Sequence, residues 1–238
     1  MQSAALAGEK VLLTHSGDGL GFVIAIAFAQ VGAEVIIHDR SAAVVAAAVE
    51  HFSLAVPGSR VRGAHADLST AAGVREILAF AGSIDILVID AVGAGVVTFS
   101  GNDDQDVAHD RQMLQVRAGG LLNDVLASLK GKEPTSIFLL SLAPEAAAES
   151  RTCLMPPSEG PSGHTVYTAS VRDLILAPVA DLVKSEVLRT NGTVAEVADY
   201  LMHDHRPTAI AAGVAAIHAL TNEIIQACVD RNIDHEAG

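Results

Sequence analysis

A short segment near the start of the chain, residues 11–41, restricts the possible folds more than any other part of the sequence. It begins with an apolar run over 11–13, passes through a turn with three glycines, and is then almost wholly apolar or small over 22–31. A second apolar run, 34–38, ends at Asp39. Short apolar runs suit buried parallel strands, whereas the longer run suits a packed helix. Strand, glycine turn, helix, strand and terminal acid together are typical of half of a dinucleotide-binding fold.

The glycine turn and the terminal acid have the chemistry that a dinucleotide needs. A helix that opens at Gly19, Leu20 and Gly21 points free backbone N–H groups at its own N-terminus, where a pyrophosphate can bind with the help of the helix dipole. Asp39 can accept both ribose hydroxyls, and its charge would repel a 2′-phosphate. The pattern therefore favours NAD over NADP, although Arg40 beside the acid weakens that preference.

Composition predicts one cytoplasmic domain over residues 1–238. Hydrophobic residues make up 50% and aromatic residues only 3%, which predicts an aliphatic core of ample size. The net charge of −13 argues against nucleic acid and anionic membrane surfaces as partners. Two cysteines, Cys153 and Cys228, form no disulfide framework. The first ten residues lack a signal-peptide core, and no apolar run is long and uninterrupted enough to span a bilayer.

The turn after the first strand resembles that of the short-chain dehydrogenase/reductase family, which is written Thr-Gly-x-x-x-Gly-x-Gly. This chain has Thr14-His15-Ser16-Gly17-Asp18-Gly19-Leu20-Gly21, so the last two family glycines are kept and the first is His15. An imidazole there would crowd the adenosine side of the site, or it would donate a hydrogen bond to phosphate. The resemblance implies an α/β fold, a doubly wound parallel sheet of the Rossmann type flanked by helices. It also implies an NAD site formed by Gly19, Leu20, Gly21, Asp39 and Asp67.

The elements after residue 41 continue the alternation of helices and strands. Ser41 is predicted to cap a helix over 42–52, and the next strands are predicted over 60–66 and 84–91. The resemblance implies that Asp67, directly after a strand, lies by the adenine ring. From the residues alone, an N-cap role for Asp67 at the start of the next helix is as well supported as the adenine contact. Both interpretations stay open.

Tyr167 matches the catalytic tyrosine of the family. The segment Tyr167-Thr168-Ala169-Ser170-Val171 follows the family's Tyr-x-x-x-Lys pattern except at its last residue. On a helix predicted over 167–188, the family lysine would lie on the tyrosine's face and favour the phenolate. Val171 cannot do this, and Arg172 is one residue out of register. Tyr167 is therefore interpreted as an inactive remnant and a packing residue.

Other positions of the family's site are also replaced. The strand predicted over 84–91 lacks the Asn-Asn-Ala-Gly sequence with which the family continues. The family's active-site asparagine corresponds to Arg117, which cannot accept a hydrogen bond. The family ends its fifth strand, predicted here over 136–142, with two serines, and the second corresponds to Leu142. Three of four active-site positions are thus substituted.

The second half of the chain departs further from the family. Residues 143–165 form a longer connection, and the family's substrate-covering lobe is predicted to be truncated after residue 192. For the C-terminal region, a last strand over 214–220 and a helix over 208–229 both stay open, and Cys228 is predicted to be packed in a terminal helix. No metal site is expected, because the candidate ligands are predicted to lie in polar loops. They are Asp103, Asp104, Asp106, His203, Asp204 and His205.

These losses favour a catalytically degenerate subunit, because groups that act together in catalysis lose most of their effect when one is removed. The chain is similar to heteromeric short-chain dehydrogenases with one degenerate subunit. That resemblance implies an active short-chain dehydrogenase as partner in a heterotetramer, joined through helices predicted over 111–130 and 167–188. Two alternatives stay open: an active NAD-dependent alcohol/ketone oxidoreductase that uses Tyr167, and a regulator that binds NAD without chemistry. The sequence leaves open whether NAD still binds this subunit.

Overall fold

The computed structural model describes residues 4–90, 136–141, 158–159, 165–170 and 207–236. Seven strands lie in these ranges: β1 Lys10–Leu13, β2 Glu34–Asp39, β3 Val61–His65, β4 Ile86–Asp90, β5 Ser136–Ser141, β6 Ser158–Glu159 and β7 Thr165–Ser170. The helices of the same ranges are α1 Gly19–Gln30, α2 Ala42–Ala55, α3 Ala71–Ala81 and α4 Pro207–Glu236.

All seven strands belong to one sheet, in the order β3-β2-β1-β4-β5-β7-β6. Every pair is parallel except β6 with β7, which is antiparallel. The chain runs outward from β1 to β3 and then crosses back to β4 on the other side of β1. Ligands of open α/β sheets bind at the carboxyl ends of the strands where the order reverses in this way. The predicted doubly wound parallel sheet is confirmed.

Helices cover both faces of the sheet because successive strand residues point to opposite sides. Leu13, Val88 and Phe138 pack on the face covered by α1, α2 and α4. Leu12 and Leu87 belong to a second buried cluster, which is completed by the residues of α3. The turn over residues 14–18, which we call the nucleotide turn after its predicted role, therefore lies between two packed layers.

The local predictions for the first half of the chain are confirmed. Gly32 has φ 95° just after α1, the left-handed conformation that ends many helices. Ser41 caps α2, and its Oγ accepts the Val44 N–H at 3.4 Å. The C-terminal region is helical, so the alternative of a last strand over 214–220 is wrong. Leu220, Ile224 and Cys228 are buried at four-residue spacing, which places one stripe of α4 against the sheet.

The helix predicted to begin at Tyr167 is wrong where the structure describes it, because residues 165–170 form β7. This strand pairs in register with β5, and Tyr167 lies beside Phe138. The physical reason lies in the residues, since the run Thr165-Val166-Tyr167-Thr168 consists of β-branched and aromatic side chains that favour a strand.

Several predictions concern residues outside the described ranges. They include the helix over 111–130, most of the helix over 167–188, most of the connection over 143–165 and the truncated lobe after 192. The replaced site residues Arg117, Leu142 and Val171 also lie outside, as do Cys153 and the polar-loop residues weighed as metal ligands. Within the described part of the chain, no helix has the length and apolar character needed to cross a membrane.

Candidate functional site

The turn between β1 and α1 is tied to both neighbouring strands. The Thr14 N–H donates to the Val88 carbonyl at 3.0 Å, and Thr14 Oγ1 accepts the Asp90 N–H at 3.1 Å. On the other side, the Ser16 N–H donates to the His38 carbonyl at 2.8 Å, and Ser16 Oγ accepts the His38 N–H at 3.2 Å. Thr14 and Ser16 are both buried, so these bonds fix the turn between β4 and β2.

The imidazole of His38 supports the backbone of the same turn. His15 has φ 48°, the only positive φ outside glycine in the described residues. Its N–H donates to His38 Nδ1 at 3.4 Å, while His38 Nε2 lies 3.0 Å from the Ala66 carbonyl. A carbonyl only accepts and a backbone N–H only donates, so these partners assign the neutral Nε2–H tautomer to His38. Burial lowers the pKa of His38 to about 4, which keeps the ring neutral near pH 7.

The side chain of His15 packs edge-on against His38, with ring centroids 5.6 Å apart and an interplanar angle of 88°. Its Nδ1 is buried and has no hydrogen-bond partner among the described residues. Burial is the main cause that lowers the pKa of His15, and Arg40 acts in the same direction. Asp39 and the Asp90 backbone oppose that shift. This ring is the departure from the family glycine, and it lies inside the turn.

The N-terminus of α1 has no side-chain cap among the described residues. Asp18 occupies the N-cap position in extended conformation, its side chain makes no capping hydrogen bond, and the first turn of α1 contains no acid. The first backbone N–H groups of a helix need such a partner, and a phosphate can supply it. Gly19 has φ 56°, and a Cβ built on it would meet nothing within 4 Å, so space is free at this end. These features fit the predicted pyrophosphate site at Gly19, Leu20 and Gly21.

Asp39 ends β2 beside the turn, as predicted. Its Oδ1 accepts the Ser41 N–H at 3.0 Å. A Cβ on Gly17 would lie 3.1 Å from Oδ2 and would collide with Val44 Cγ1. The glycine at position 17 therefore leaves the room that Asp39 and α2 occupy. No hydrogen bond to the other carboxylate oxygen, Oδ2, is formed by the described residues, and this oxygen is the acceptor that the predicted ribose contact would use.

Asp67 follows β3 at the same edge of the sheet, but it does not cap α3. The N-cap is Thr70, whose Oγ1 accepts the Gly73 N–H at 3.0 Å. Asp67 Oδ1 instead accepts both the N–H and the Oγ–H of Ser69, and these bonds lower the pKa of the Asp67 carboxyl. The N-cap interpretation of Asp67 is thus wrong, because Thr70 is closer to the first turn. Arg40 Nε lies 3.9 Å from Asp67 Oδ2, so the arginine side chain points towards the predicted adenine side of the site.

Tyr167 lies apart from this turn. Its ring stacks on Phe138 at 4.8 Å with an angle of 11°, and it packs against the core that α4 covers. Three more residues of β7 follow before the carboxyl edge, and β4 and β5 separate β7 from β1. Burial raises the pKa of Tyr167 and Cys228 adds to that effect, while Arg231 opposes it. The structure therefore does not bring Tyr167 together with His15 or Asp39.

Arg231 is a cation that acts on Tyr167, but it is bound at the opposite edge of the sheet. Its Nη2 lies 2.7 Å from Glu9 Oε2, just before β1. Its Nη1 donates to the Asp85 carbonyl at 2.9 Å and to Ser136 Oγ at 3.2 Å, at the amino ends of β4 and β5. A nucleotide at the carboxyl edge would be out of its reach, so Arg231 does not replace the family lysine.

The residues that shape the turn most, Ser16 and His38, were not identified from the sequence. The available signal was a histidine inside the otherwise apolar second strand, where a buried imidazole requires partners. Asp90, only 4% exposed at the end of β4, is a further neighbour of the turn that the sequence pattern does not indicate, since its N–H donates to Thr14 Oγ1. Among the described residues, no group of three or more His, Cys, Asp or Glu side chains is arranged to hold a metal ion.

Comparison with known families identifies the first half of the chain. Residues 9–133, just over half of the sequence, match the family model described as short chain dehydrogenase. That range contains β1 to β4 with the nucleotide turn, Asp39 and Asp67.

Curated proteins also match parts of the chain. Subunit BbsD of (2S)-[(R)-hydroxy(phenyl)methyl]succinyl-CoA dehydrogenase from Thauera aromatica is 42% identical over 84 residues, which cover 34% of this chain and 33% of that protein. A hydroxysteroid 11-beta-dehydrogenase 1-like protein from Gallus gallus is 30% identical over 119 residues, 48% of this chain and 40% of that protein. The matches thus span between a third and two fifths of the length of these relatives.

A solved structure also resembles the chain. The citronellol catabolism dehydrogenase of Pseudomonas aeruginosa aligns with a TM-score of 0.47 and 21% identity, covering 59% of this chain and 58% of that one.

Proposed function

The chain belongs to the short-chain dehydrogenase family, and from that premise we propose that it is a non-catalytic subunit that pairs with an active NAD-dependent dehydrogenase. The observation that carries the proposal is the position of Tyr167. Its phenol packs on Phe138 beneath α4, and its nearby cation, Arg231, is bound at the amino edge of the sheet. A phenol needs a neighbouring cation and contact with substrate to act as a proton donor or acceptor. Among the described residues, the cation that acts on Tyr167 is Arg231, and it is held at the amino edge.

The family typically binds NAD or NADP, and the turn of this chain fits NAD. Gly19, Leu20 and Gly21 would hold the pyrophosphate with backbone N–H groups, and Asp39 would hold the adenosine ribose. Asp67 would border the adenine. NAD, where bound, supplies a hydride acceptor. The role of this chain would be to bind and orient the nucleotide, because Tyr167 on β7 is separated from the turn after β1 by β4 and β5.

The similarity to a subunit of a succinyl-CoA derivative dehydrogenase suggests the chemistry of the partner. We infer that this chain pairs, in a heterotetramer of the cytoplasm, with a short-chain dehydrogenase that oxidises a hydroxyl group on an acyl-CoA. The matching segment covers a third of that relative, so the inference concerns the type of assembly and the substrate class. A degenerate sister subunit would stabilise the active one through shared helices.

The test is co-expression of the chain with each short-chain dehydrogenase encoded by a neighbouring gene, followed by light scattering on any purified complex. A stable hetero-oligomer is expected. Tyr167→Phe should leave the turnover of the complex unchanged, whereas the same substitution at the tyrosine of the partner should abolish it. Homo-oligomers without a bound partner would contradict the assembly. Turnover of a test alcohol by the isolated chain with NAD would instead support the active-enzyme alternative.

A regulator that binds NAD without chemistry is the second candidate, and the open N-terminus of α1 favours it. The two functions differ in the behaviour of the isolated chain. A regulator should bind NAD tightly alone and should purify without a dehydrogenase subunit. Calorimetric titration of the chain alone, and then of the complex, separates them.

A further inference from the structure

His38 is placed unlike any other side chain of β2. It is fully buried in a strand whose neighbours Val35, Ile36 and Ile37 are aliphatic. Both ring nitrogens have partners from different elements, the His15 N–H in the β1–α1 turn and the Ala66 carbonyl after β3. A buried polar ring with two bonded nitrogens is costly to disturb, because each broken bond leaves a buried group unsatisfied.

The backbone of His15 needs such support. A residue with a side chain is disfavoured at positive φ, and His15 stands at φ 48°. Its conformation matters for the helix that follows, because a Cβ on Gly21 would lie 3.0 Å from the His15 carbonyl oxygen and 2.9 Å from Ser16 Cα. The first turn of α1 therefore packs directly on the His15–Ser16 peptide, and a shift of that peptide would move the free N–H groups at the helix N-terminus.

We propose that His38 is a positioning residue for the nucleotide turn, in which Nδ1 holds the His15 N–H so that the left-handed backbone at His15 sets the location of the α1 N-terminus. The proposal rests on the proposed function only in the identity of the ligand, a nucleotide with a pyrophosphate. It assigns no contact with that ligand to His38. The bond from His38 to Ala66 sets the tautomer, and the bond from His15 to His38 sets the turn.

Two substitutions separate the two bonds. Asparagine places an amide oxygen near the position of Nδ1 and loses the bond to Ala66, whereas glutamine reaches towards Ala66 and loses the acceptor for His15. His38→Asn and His38→Gln each remove one buried hydrogen bond, so their losses of stability should be similar. A purely structural role predicts equal effects of the two variants on nucleotide binding. A positioning role predicts unequal effects.

The experiment uses the full chain with three readouts: thermal denaturation, amide hydrogen exchange at His15, and calorimetric titration with NAD. In the wild-type chain, long-range proton–nitrogen spectra should show His38 with Nδ1 unprotonated and Nε2 protonated. His38→Gln should speed exchange of the His15 amide and weaken NAD binding by about fivefold, the worth of one ordinary hydrogen bond. His38→Asn should leave both near their wild-type values.

Equal exchange rates at His15 in the two variants, or losses of NAD affinity that merely follow losses of stability, would overturn the proposal. If the wild-type chain binds no NAD, the nucleotide part of the proposed function fails instead, and the exchange rates at His15 alone decide whether His38 positions the turn. Protonation of Nδ1 in the wild-type spectra would also contradict the assignment.

Discussion

At the residue scale, several buried polar side chains are concentrated around one turn. Thr14, Ser16 and His38 are all buried, and each bonds to the backbone of a different strand or turn. Buried polar side chains destabilise a fold unless they are satisfied, so such a concentration marks a place where the backbone has to be held in a defined shape. The family uses a glycine where this chain has His15, and the hydrogen bond to His38 compensates for the strain of a side chain there.

The first prediction concerns the pH dependence of stability. The pKa of His38 is lowered from 6.5 to about 4 in the fold, so the unfolded chain takes up this proton first as the pH falls. The contribution of His38 to the free energy of unfolding is fully present above about pH 6.5, decreases between pH 6.5 and 4, and changes no further below that. It amounts to about 3 kcal/mol at most.

Urea denaturation at a series of pH values measures this, with His38→Asn as the control that cannot titrate. His15, Asp39 and His65 also act electrostatically on His38 and are retained in the control. The wild-type free energy of unfolding should fall more steeply than that of the variant over this range. Parallel curves would show that His38 keeps an ordinary pKa in the fold.

The second prediction concerns Gly21→Ala. In an exposed helix this change stabilises by roughly 1 kcal/mol. Here the new Cβ would lie 2.9 Å from Ser16 Cα, which is backbone that is itself held by buried bonds. We expect a destabilisation of about 1–3 kcal/mol, as for other overpacked sites, and weaker NAD binding. Urea denaturation decides the sign, and a stabilised variant would mean that the turn relaxes away from α1.

At the element scale, local pattern predicted the first ninety residues well. The apolar run of β1, the glycine after α1 and the serine before α2 each act through neighbours within a few residues, so the sequence contains the whole signal. Tyr167 shows where this fails. Its family motif predicts a helix, whereas its β-branched neighbours favour a strand, and that strand pairs with β5.

The candidate site divides in the same way. Asp39 and Gly19 were predictable because a terminal acid and a glycine turn act locally. The role of His38 was not, because its partners come from the turn after β1 and from the residue after β3. Long-range pairs of this kind leave no periodic trace in the sequence. The same holds for Arg231, which joins a helix near the end of the chain to Glu9.

The third prediction concerns that connection. Arg231 attaches α4 to the amino edge of the sheet through Glu9, the Asp85 carbonyl and Ser136 Oγ. Its side chain is 15% exposed, so solvent replaces these bonds poorly. Arg231→Met keeps most of the length and removes the charge, and it should destabilise the chain by about 1–3 kcal/mol because several partners lose a donor. Arg75→Met, on the exposed side of α3, is the control and should change stability by less than about 0.5 kcal/mol in urea denaturation. Equal effects of the two changes would show that α4 does not depend on Arg231.

At the scale of the whole molecule, the two polar centres lie at opposite edges of one sheet. The nucleotide turn, Asp39 and Asp67 lie at the carboxyl edge, whereas Arg231 and its partners lie at the amino edge. The phenol of Tyr167 lies between them under α4. The described structure thus keeps the strand, turn and helix of the family's first half and places Tyr167 apart from them. Under the proposed function, nucleotide binding and catalysis are therefore independent properties, and each can be measured without the other.

The last prediction concerns the selection of nucleotide by the whole chain. Asp39 would repel a 2′-phosphate, and the neighbouring cation, Arg40, is drawn 3.9 Å from Asp67 Oδ2 and does not pair with Asp39 in the described structure. Calorimetry should show NAD binding at least about tenfold tighter than NADP, which corresponds to about 1.4 kcal/mol. Asp39→Asn keeps an oxygen for the Ser41 N–H and removes the charge. It should therefore weaken NAD binding and reduce the ratio of the affinities for NAD and NADP.

Arg40→Ala is the matched control for this selection, because its side chain is 73% exposed and an exposed ion pair adds little stability. It should leave the melting temperature and the affinity for NAD unchanged and should weaken any residual binding of NADP. Wild-type affinities that are equal for the two nucleotides would mean that Arg40 turns from Asp67 to the 2′-phosphate when a ligand arrives. In that case the conformation of Arg40, and not the charge of Asp39, would determine which cofactor the chain accepts.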